Sequence, residues 1–303
     1  MPIILMSGGR PGGLDRTKTM RIKDLGKDVV ARTARNPVAW SLYSLCGRLS
    51  DSLGQIYGHA RFTREISERD ETIRKLTREV FPDLTVSGGP FQGMRYSSGQ
   101  SYGSALLPKL LGSYESELHP VLEEMLANEY STIVDIGCAE GYYAVGLGLR
   151  IPQATIYAFD TSSNARKLCA DMARLNGLED RVRIGSFCDA ATLMSLPLGS
   201  RALIISDCEG YEGILFTNGI AASLAPHDVV VETHDFIDID ISSRLRDAFG
   251  KTHRIRSIKS IDDIEKAHSY RYPKLDAYDT KTRRLILGER RPAIMEWLAM
   301  TAK

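Results

Sequence analysis

The chain has 303 residues and a formal net charge of +1; 43% of its residues are hydrophobic and 25% are charged. These values are ordinary for a globular protein and give no overall charge that would draw it to nucleic acid or to a membrane surface. Five cysteines without C-x-x-C spacing argue against a zinc site and favour reduced thiols in a cytoplasmic protein. No run approaches 18 apolar residues, so no membrane span is expected.

The first 105 residues predict a mainly helical extension that serves in oligomerisation or as a substrate cap. The first 48 residues hold nine Lys or Arg and three Asp or Glu, which favours a solvated terminus over an anion-binding arm. Residues 7–13 are rich in Gly and Pro, and residues 28–58 predict one or two helices.

A clearer helix is predicted over residues 59–80. Ile66, Ile73, Leu76 and Val80 form one apolar stripe at helical spacing, and Pro82 ends the helix. Two interpretations stay open: the stripe packs on its own domain, or it makes a homodimer contact.

From residue 132 onward, short apolar runs alternate with helical segments. The runs span residues 132–137, 155–160, 181–185, 202–207 and 228–233. Parallel strands that are buried on both faces have this pattern, so residues 106–303 predict an α/β domain with a Rossmann-like doubly wound sheet. Residues 252–259 and 282–288 predict a final antiparallel pair of strands, because no clear helix separates them.

The first of these strands runs into a glycine-containing turn, DIGCAEG at residues 135–141, and then into a helix. Such a turn forms a cofactor cradle, and Asp160 at the end of the second strand can bind the hydroxyls of a ribose. The dinucleotide fingerprint G-x-G-x-x-G fails here, because Ala139 and Tyr142 replace two of its glycines. Acidic residues at 135, 140 and 160 suit a cationic cofactor better than a pyrophosphate.

These motifs resemble those of the class I methyltransferases that use S-adenosylmethionine (AdoMet). The segment SDCEGYE at residues 206–212 is similar to the D-x-E-G-x-E motif of the FkbM family, whose described members are mainly O-methyltransferases. The run VVVETH at 229–234 resembles that family's fifth strand. The resemblance implies an enzyme of class EC 2.1.1.-, AdoMet as cofactor and the class I methyltransferase fold with its C-terminal antiparallel hairpin.

The resemblance also implies roles for single residues. Gly137 and Gly141 shape the loop, Asp160 holds the ribose, and Asp207 lies beside the methyl donor. The expected cofactor-binding set is Tyr114, Glu115, Asp135, Gly137, Cys138, Ala139, Glu140, Gly141, Asp160, Asp189 and Asp207. Asp189 can alternatively be a helix N-cap, and residues 113–116 can be an ordinary helix start.

Carboxylates and an imidazole are expected to converge where strands four and five end, and His234 and Asp207 are the catalytic candidates. Asp207, Glu232 and His234 can hold a divalent ion that lowers the pKa of an acceptor hydroxyl. Alternatively His234 is a general base, or Glu209 and Glu212 make structural hydrogen bonds and His234 merely lines the pocket.

The expected function is O-methylation of a small-molecule or sugar-containing acceptor. One alternative is an RNA or other nucleic-acid methyltransferase, which the lack of an N/D-P-P-Y-type element after strand four disfavours. The other is a non-catalytic binding protein that retains the AdoMet fold.

Overall fold

The computed structural model describes residues 36–303 and leaves the side chains at 39, 40, 43, 46–49, 59 and 60 undescribed. The predictions for residues 7–13, for the basic N-terminus and for the side chain of Cys46 lie outside the described residues. The chain divides into two units between Asp70 and Glu71, within helix α1 (Pro37–Val80). The domain boundary at residue 105 stays a prediction.

In the first unit, α1 carries ion pairs one turn apart. Arg61 pairs with Glu65 at 2.8 Å and Arg64 with Glu68 at 2.6 Å. Exposed pairs of this kind stabilise a helix by only a few tenths of a kcal/mol. A homodimer contact along this helix stays a prediction.

The second unit contains a seven-stranded sheet with helices on both faces. Its strands are β1 (Thr132–Ile136), β2 (Thr155–Phe159), β3 (Val182–Gly185), β4 (Ala202–Ser206), β5 (Asp228–Thr233), β6 (His253–Lys259) and β7 (Glu296–Ala302). The helices after α1 are α2 (Leu106–Leu111), α3 (His119–Leu126), α4 (Tyr142–Arg150), α5 (Ser163–Leu175), α6 (Ala190–Ser195), α7 (Glu212–Leu215), α8 (Asn218–Ser223), α9 (Ile241–Phe249), α10 (Asp263–Ser269) and α11 (Thr280–Leu287), with a 3₁₀ turn at Pro273–Leu275.

The strand order is β3-β2-β1-β4-β5-β7-β6. Strands β1 to β5 are parallel, whereas β7 runs antiparallel to both β5 and β6. The order reverses between β2-β1 and β4, so the carboxyl ends of β1, β2, β4 and β5 face one crevice. The predicted doubly wound sheet and its C-terminal antiparallel pair are therefore confirmed.

The strand predicted at residues 282–288 is wrong, because these residues form α11. Asp279 caps this helix by accepting a hydrogen bond from the Thr282 N–H at 2.8 Å, and the helix buries Ile286 and Leu287. The strand that pairs with β6 is instead β7, in a register from His253 opposite Ala302 to Lys259 opposite Glu296.

The end of α1 packs in the core of the second unit. Leu76, Val80 and Phe81 are buried there, and the helix ends before Pro82 as predicted. For Leu76 and Val80 the packing interpretation of the apolar stripe is therefore confirmed. Within residues 36–303, no helix is both long enough and apolar enough to cross a lipid bilayer.

Candidate cofactor and catalytic site

A cavity of about 460 Å³ opens at the carboxyl ends of β1, β2, β4 and β5. The predicted site residues that line it are Tyr114, Asp135, Gly137, Cys138, Ala139, Asp160, Asp207, Glu232 and His234. Four other predicted residues do not line it: Glu115, Glu140, Gly141 and Asp189. The fold thus brings together side chains from four strand ends that lie far apart in sequence.

The loop between β1 and α4 depends on glycine at its first turn. Gly137 has φ of 88°, and a Cβ placed on it would lie 1.7 Å from the carbonyl oxygen of Asp207. This glycine therefore allows the β1 and β4 loops to approach closely. Ala139 has φ of 47°, a region that favours glycine, and its N–H donates to Asp160 Oδ2 at 3.0 Å.

Asp160 holds the loop and still faces the cavity. Its two carboxylate oxygens accept the N–H groups of Ala139 and, at 2.8 Å, Ser162. A carboxylate oxygen has more than one lone pair, so Asp160 can also accept hydrogen bonds from ligand hydroxyls.

Asp135 is a buried carboxyl on the cavity wall. Its Oδ2 atom has no hydrogen-bond partner within the described residues. Burial, and then the charges of Asp207 and Asp160, raise the pKa of Asp135 to about 8. A cationic group in the cavity would compensate for this unpaired oxygen.

Glu140 does not line the cavity and instead binds residues that precede β1. Its carboxylate lies 2.7 Å from Lys109 Nζ and accepts hydrogen bonds from Ser101 Oγ and the Tyr102 N–H. Burial alone would raise the pKa of Glu140, but Lys109 and the hydrogen bonds from Tyr102 and Ser101 together outweigh burial and lower it. Lys109 is not among the residues predicted from the sequence, although a single lysine within the apolar run LLPKLL could have indicated a buried ion pair.

Asp189 and Glu115 also have structural partners. Asp189 caps α6 through the Thr192 N–H at 2.8 Å, which matches the alternative prediction of an N-cap. Glu115 contacts the Tyr143 hydroxyl and the Arg291 guanidinium. Gly141 is the N-cap residue of α4, with φ of 96°, and packs beside Cys169.

Arg291 is a cavity residue that the sequence analysis missed. Its guanidinium pairs with Glu115, Glu232 and Glu289, the last at 2.8 Å. Burial lowers the pKa of Arg291, but Glu115 and Glu232 outweigh burial, so the pKa is raised and the group stays charged. No local pattern indicates this pairing, because Arg291 follows Glu232 by 59 residues.

His234 is buried among three carboxylates. Its Nδ1 lies 2.9 Å from Glu212 Oε1 in a poorly aligned contact, and its Nε2 lies 3.5 Å from both Asp207 Oδ1 and Glu209 Oε2. Burial lowers the pKa of His234, but the Glu212 contact and the charges of Asp207 and Glu209 outweigh it. The net pKa is therefore raised, and the imidazole retains a proton more readily than usual.

The predicted metal ligands converge but already have a cation beside them. Ligand atoms of Asp207, Glu232 and His234 all lie within 4.8 Å of one another. However, Arg291 donates to Glu232, so a divalent ion at this position would have to compete with a fixed guanidinium. The donor set is therefore a poor fit for a divalent metal.

The sheet order, the antiparallel C-terminal pair and the cavity at the strand ends define the class I AdoMet-dependent methyltransferase fold. No protein-family model matches the chain. The release factor glutamine methyltransferase of Deinococcus radiodurans is 39% identical over 119 residues, which cover 39% of this chain and 40% of that protein. The match thus spans about two-fifths of the length of this curated relative.

Two solved structures are also similar to this chain, at low sequence identity. Precorrin-6y C5,15-methyltransferase from Geobacter metallireducens GS-15 has a TM-score of 0.39 at 12% identity, covering 61% of this chain and 89% of that one. TrmN from Thermus thermophilus has a TM-score of 0.38 at 15% identity, covering 63% of this chain and 51% of that one.

Proposed function

We propose that this protein transfers a methyl group from AdoMet to an oxygen of a small-molecule or sugar-containing acceptor. One observation carries the proposal: the cavity places the unpaired buried oxygen of Asp135 on the same wall as Asp160 and Asp207. This acidic wall suits a ligand with a sulfonium and an ammonium group, and it disfavours the pyrophosphate of a dinucleotide.

The cavity residues fit three parts of AdoMet: its ribose, its cationic amino-acid and sulfonium part, and its adenine. Asp160 would accept hydrogen bonds from the ribose, and Asp135 would face the cationic part of the cofactor. Phe187 and Cys188 line the cavity after β3, where an adenine ring would have apolar contacts. When bound, AdoMet supplies an electrophilic methyl carbon; the chain's own residues must position an oxygen against it and exclude water.

His234 is the proposed general base. Its Nε2 faces Asp207 at the cavity wall, so an acceptor hydroxyl hydrogen-bonded there can give its proton to Nε2. The O–H bond breaks, its electron pair stays on the oxygen, and the proton is held on the imidazole. Asp207, Glu209 and Glu212 then stabilise the imidazolium. A divalent ion held by Asp207, Glu232 and His234 is the competing proposal, and Arg291 makes it the weaker one.

The FkbM family remains part of the proposal. The match rests on the D-x-E-G-x-E segment, in which Asp207, Glu209 and Glu212 all surround His234 in the structure. The 39% identity to a methyltransferase over 119 residues supports methyl transfer in general. That relative's name states a glutamine of a protein as its acceptor, so a protein acceptor belongs in the test.

The test is a screen with radiolabelled AdoMet. Extracted small molecules, glycosylated compounds, total protein and RNA are offered to the full chain as separate acceptor pools. We expect label in the small-molecule or glycosylated pool, in a product whose methyl group is bound to oxygen. Label in protein or RNA would contradict the acceptor class, and AdoMet binding without label in any pool would favour the non-catalytic alternative.

A reducing, cytoplasmic compartment is also proposed. Four cysteines in the described part of the chain, Cys138, Cys169, Cys188 and Cys208, are free thiols, as expected in such a compartment.

A further inference from the structure

The loop after β5 exposes apolar side chains beside the candidate catalytic histidine. Phe236, Ile237 and Ile239, here called the apolar loop, are 50%, 55% and 81% exposed. Phe236 also lines the cavity, and its ring centroid lies 5.8 Å from that of His234. An exposed apolar surface that continues into a cavity is commonly a ligand-binding surface.

The acidic residues of the same segment have partners within the fold. Asp235 accepts a hydrogen bond from the Ser242 N–H at 2.8 Å, and Asp238 pairs with Arg244. Two acids of the segment HDFIDID thus have partners within the fold, whereas its apolar side chains at 236, 237 and 239 are exposed.

The apolar loop is supported by the turn after β4. A Cβ placed on Gly210 would lie 3.3 Å from Ile237 side-chain atoms, so the two segments pack closely there. The exposed face of the loop therefore lies next to Asp207 and Glu209, the carboxylates that face His234. Because Phe236 belongs both to the apolar loop and to the cavity lining, this face is continuous with the cavity.

We propose that the apolar loop binds an alkyl or aromatic part of the methyl acceptor, which makes the acceptor a neutral amphiphile. The inference rests on the proposed function for the position of the reacting oxygen. The charge around the loop selects the neutral form, because Glu209, Asp235, Asp238 and Asp240 are acidic. In the described part of the chain, Arg244 pairs with Asp238 and His234 lies 3.5 Å from Glu209, so the acids outnumber the cations beside them. Anionic amphiphiles and anionic membrane surfaces would be repelled.

The experiment uses neutral alkyl probes of increasing length. Hexyl, octyl and decyl β-glucoside, each below its micelle concentration, are titrated by calorimetry into the full chain saturated with S-adenosylhomocysteine. Each added pair of methylene groups should tighten binding by up to about fifteenfold, which is the increment for two fully buried methylene groups. Decyl sulfate should bind more weakly than decyl glucoside, and the difference should shrink at high salt.

Variants then locate the binding surface. Phe236→Ser and Ile239→Ser should each flatten the dependence of glucoside affinity on alkyl chain length. An unchanged midpoint of thermal unfolding would show that Ile239→Ser is folded. Ile264→Ser is the matched control, because Ile264 is 49% exposed on α10 and lies outside the cavity lining. It should leave the series unchanged.

Three results would overturn the proposal: a flat series in the unaltered chain, a steep series that Phe236→Ser and Ile239→Ser leave unchanged, or an equal effect of Ile264→Ser. A flat series would mean that the loop serves a different occupant, such as a protein partner. Failure of the proposed methyltransferase is separately visible, because the full chain would then bind neither AdoMet nor S-adenosylhomocysteine, whereas the glucoside series repeated without nucleoside would stay steep.

Discussion

Asp160 and Asp189 each lie between a strand and the next helix, but only the carboxylate of Asp160 faces the cavity. Asp160 lines the cavity while it accepts two backbone N–H groups, whereas Asp189 caps α6 and does not line the cavity. Their sequence contexts look alike, because each follows a strand and precedes a helix. Only the three-dimensional arrangement separates the binding residue from the cap.

This difference predicts that removing the Asp160 side chain affects AdoMet binding, whereas removing the Asp189 side chain affects stability. Asp160→Ala should weaken AdoMet binding by about 1.5–3 kcal/mol, since it removes charge-assisted hydrogen bonds to the ribose. Asp189→Ala should leave the affinity unchanged and lower the free energy of unfolding by about 1 kcal/mol, the cost of a lost N-cap. Calorimetry and urea denaturation measure the two quantities. Equal affinities for Asp160→Ala and the unaltered chain would show that the ribose assignment is wrong.

The pKa of His234 sets a direction for the pH dependence of methyl transfer. A general base must be unprotonated, and the pKa of His234 is raised above its ordinary value of 6.5. The rate should therefore fall as the pH drops through this raised pKa. His234→Ala should reduce the rate about 10²–10⁴-fold without weakening AdoMet binding.

The effect of EDTA on the rate of methyl transfer distinguishes His234 as a general base from a catalytic metal ion. A rate governed by His234 as base should be indifferent to EDTA. A rate that EDTA abolishes and a divalent ion restores, with Asp207→Ala and Glu232→Ala equally inactive, would establish the metal site instead. If neither EDTA nor His234→Ala matters, catalysis rests on positioning alone.

At the scale of elements, the close approach of the β1 and β4 loops makes a prediction about glycine. Gly137 and Gly177 both have positive φ, of 88° and 70°, but only at Gly137 would a Cβ collide with backbone. Gly177→Ala should cost about 1–2 kcal/mol of stability through backbone strain alone. Gly137→Ala should cost more and also abolish AdoMet binding. Thermal denaturation and calorimetry check this, and retained binding in Gly137→Ala would contradict the role of the loop.

The sequence predicts the parallel strands better than the end of the sheet. Runs such as ALIISD and DVVVET are buried on both faces, and their continuous apolar pattern has few alternatives. TRRLILG is ambiguous over so short a length, and the N-cap Asp279 decides in favour of a helix. The strand EWLAMTA carries no strong alternation and could not be assigned from pattern alone.

In the site, too, some residues could be predicted from the sequence and others could not. Asp135 lies near the carboxyl end of β1 and Asp160 directly follows β2, so their motifs predict that both lie at the cavity. Lys109 and Arg291 reach their carboxylate partners across 31 and 59 residues, and spacing gives no sign of such pairs. Their role is nevertheless central, because they neutralise Glu140 and Glu232 in a buried environment.

At the scale of the whole molecule, the core contacts of α1 define a truncation series. Removing residues 1–70 should leave AdoMet affinity unchanged, because Leu76, Val80 and Phe81 keep their places in the core. Removing residues 1–85 deletes these three side chains and should lower solubility and turnover more than AdoMet affinity. Sedimentation of both truncations and the full chain also tests the proposed homodimer. A fully active chain starting at residue 86 would contradict the role given to α1.

The most direct test of whether the cavity binds AdoMet is calorimetric titration of the full chain with AdoMet and with S-adenosylhomocysteine. We expect one site for each nucleoside in the cavity at the strand ends, and weaker binding of both in Asp160→Ala. NAD should not bind, because the loop lacks the glycines that admit a pyrophosphate. If a folded chain binds neither AdoMet nor S-adenosylhomocysteine, the cavity is not an AdoMet site.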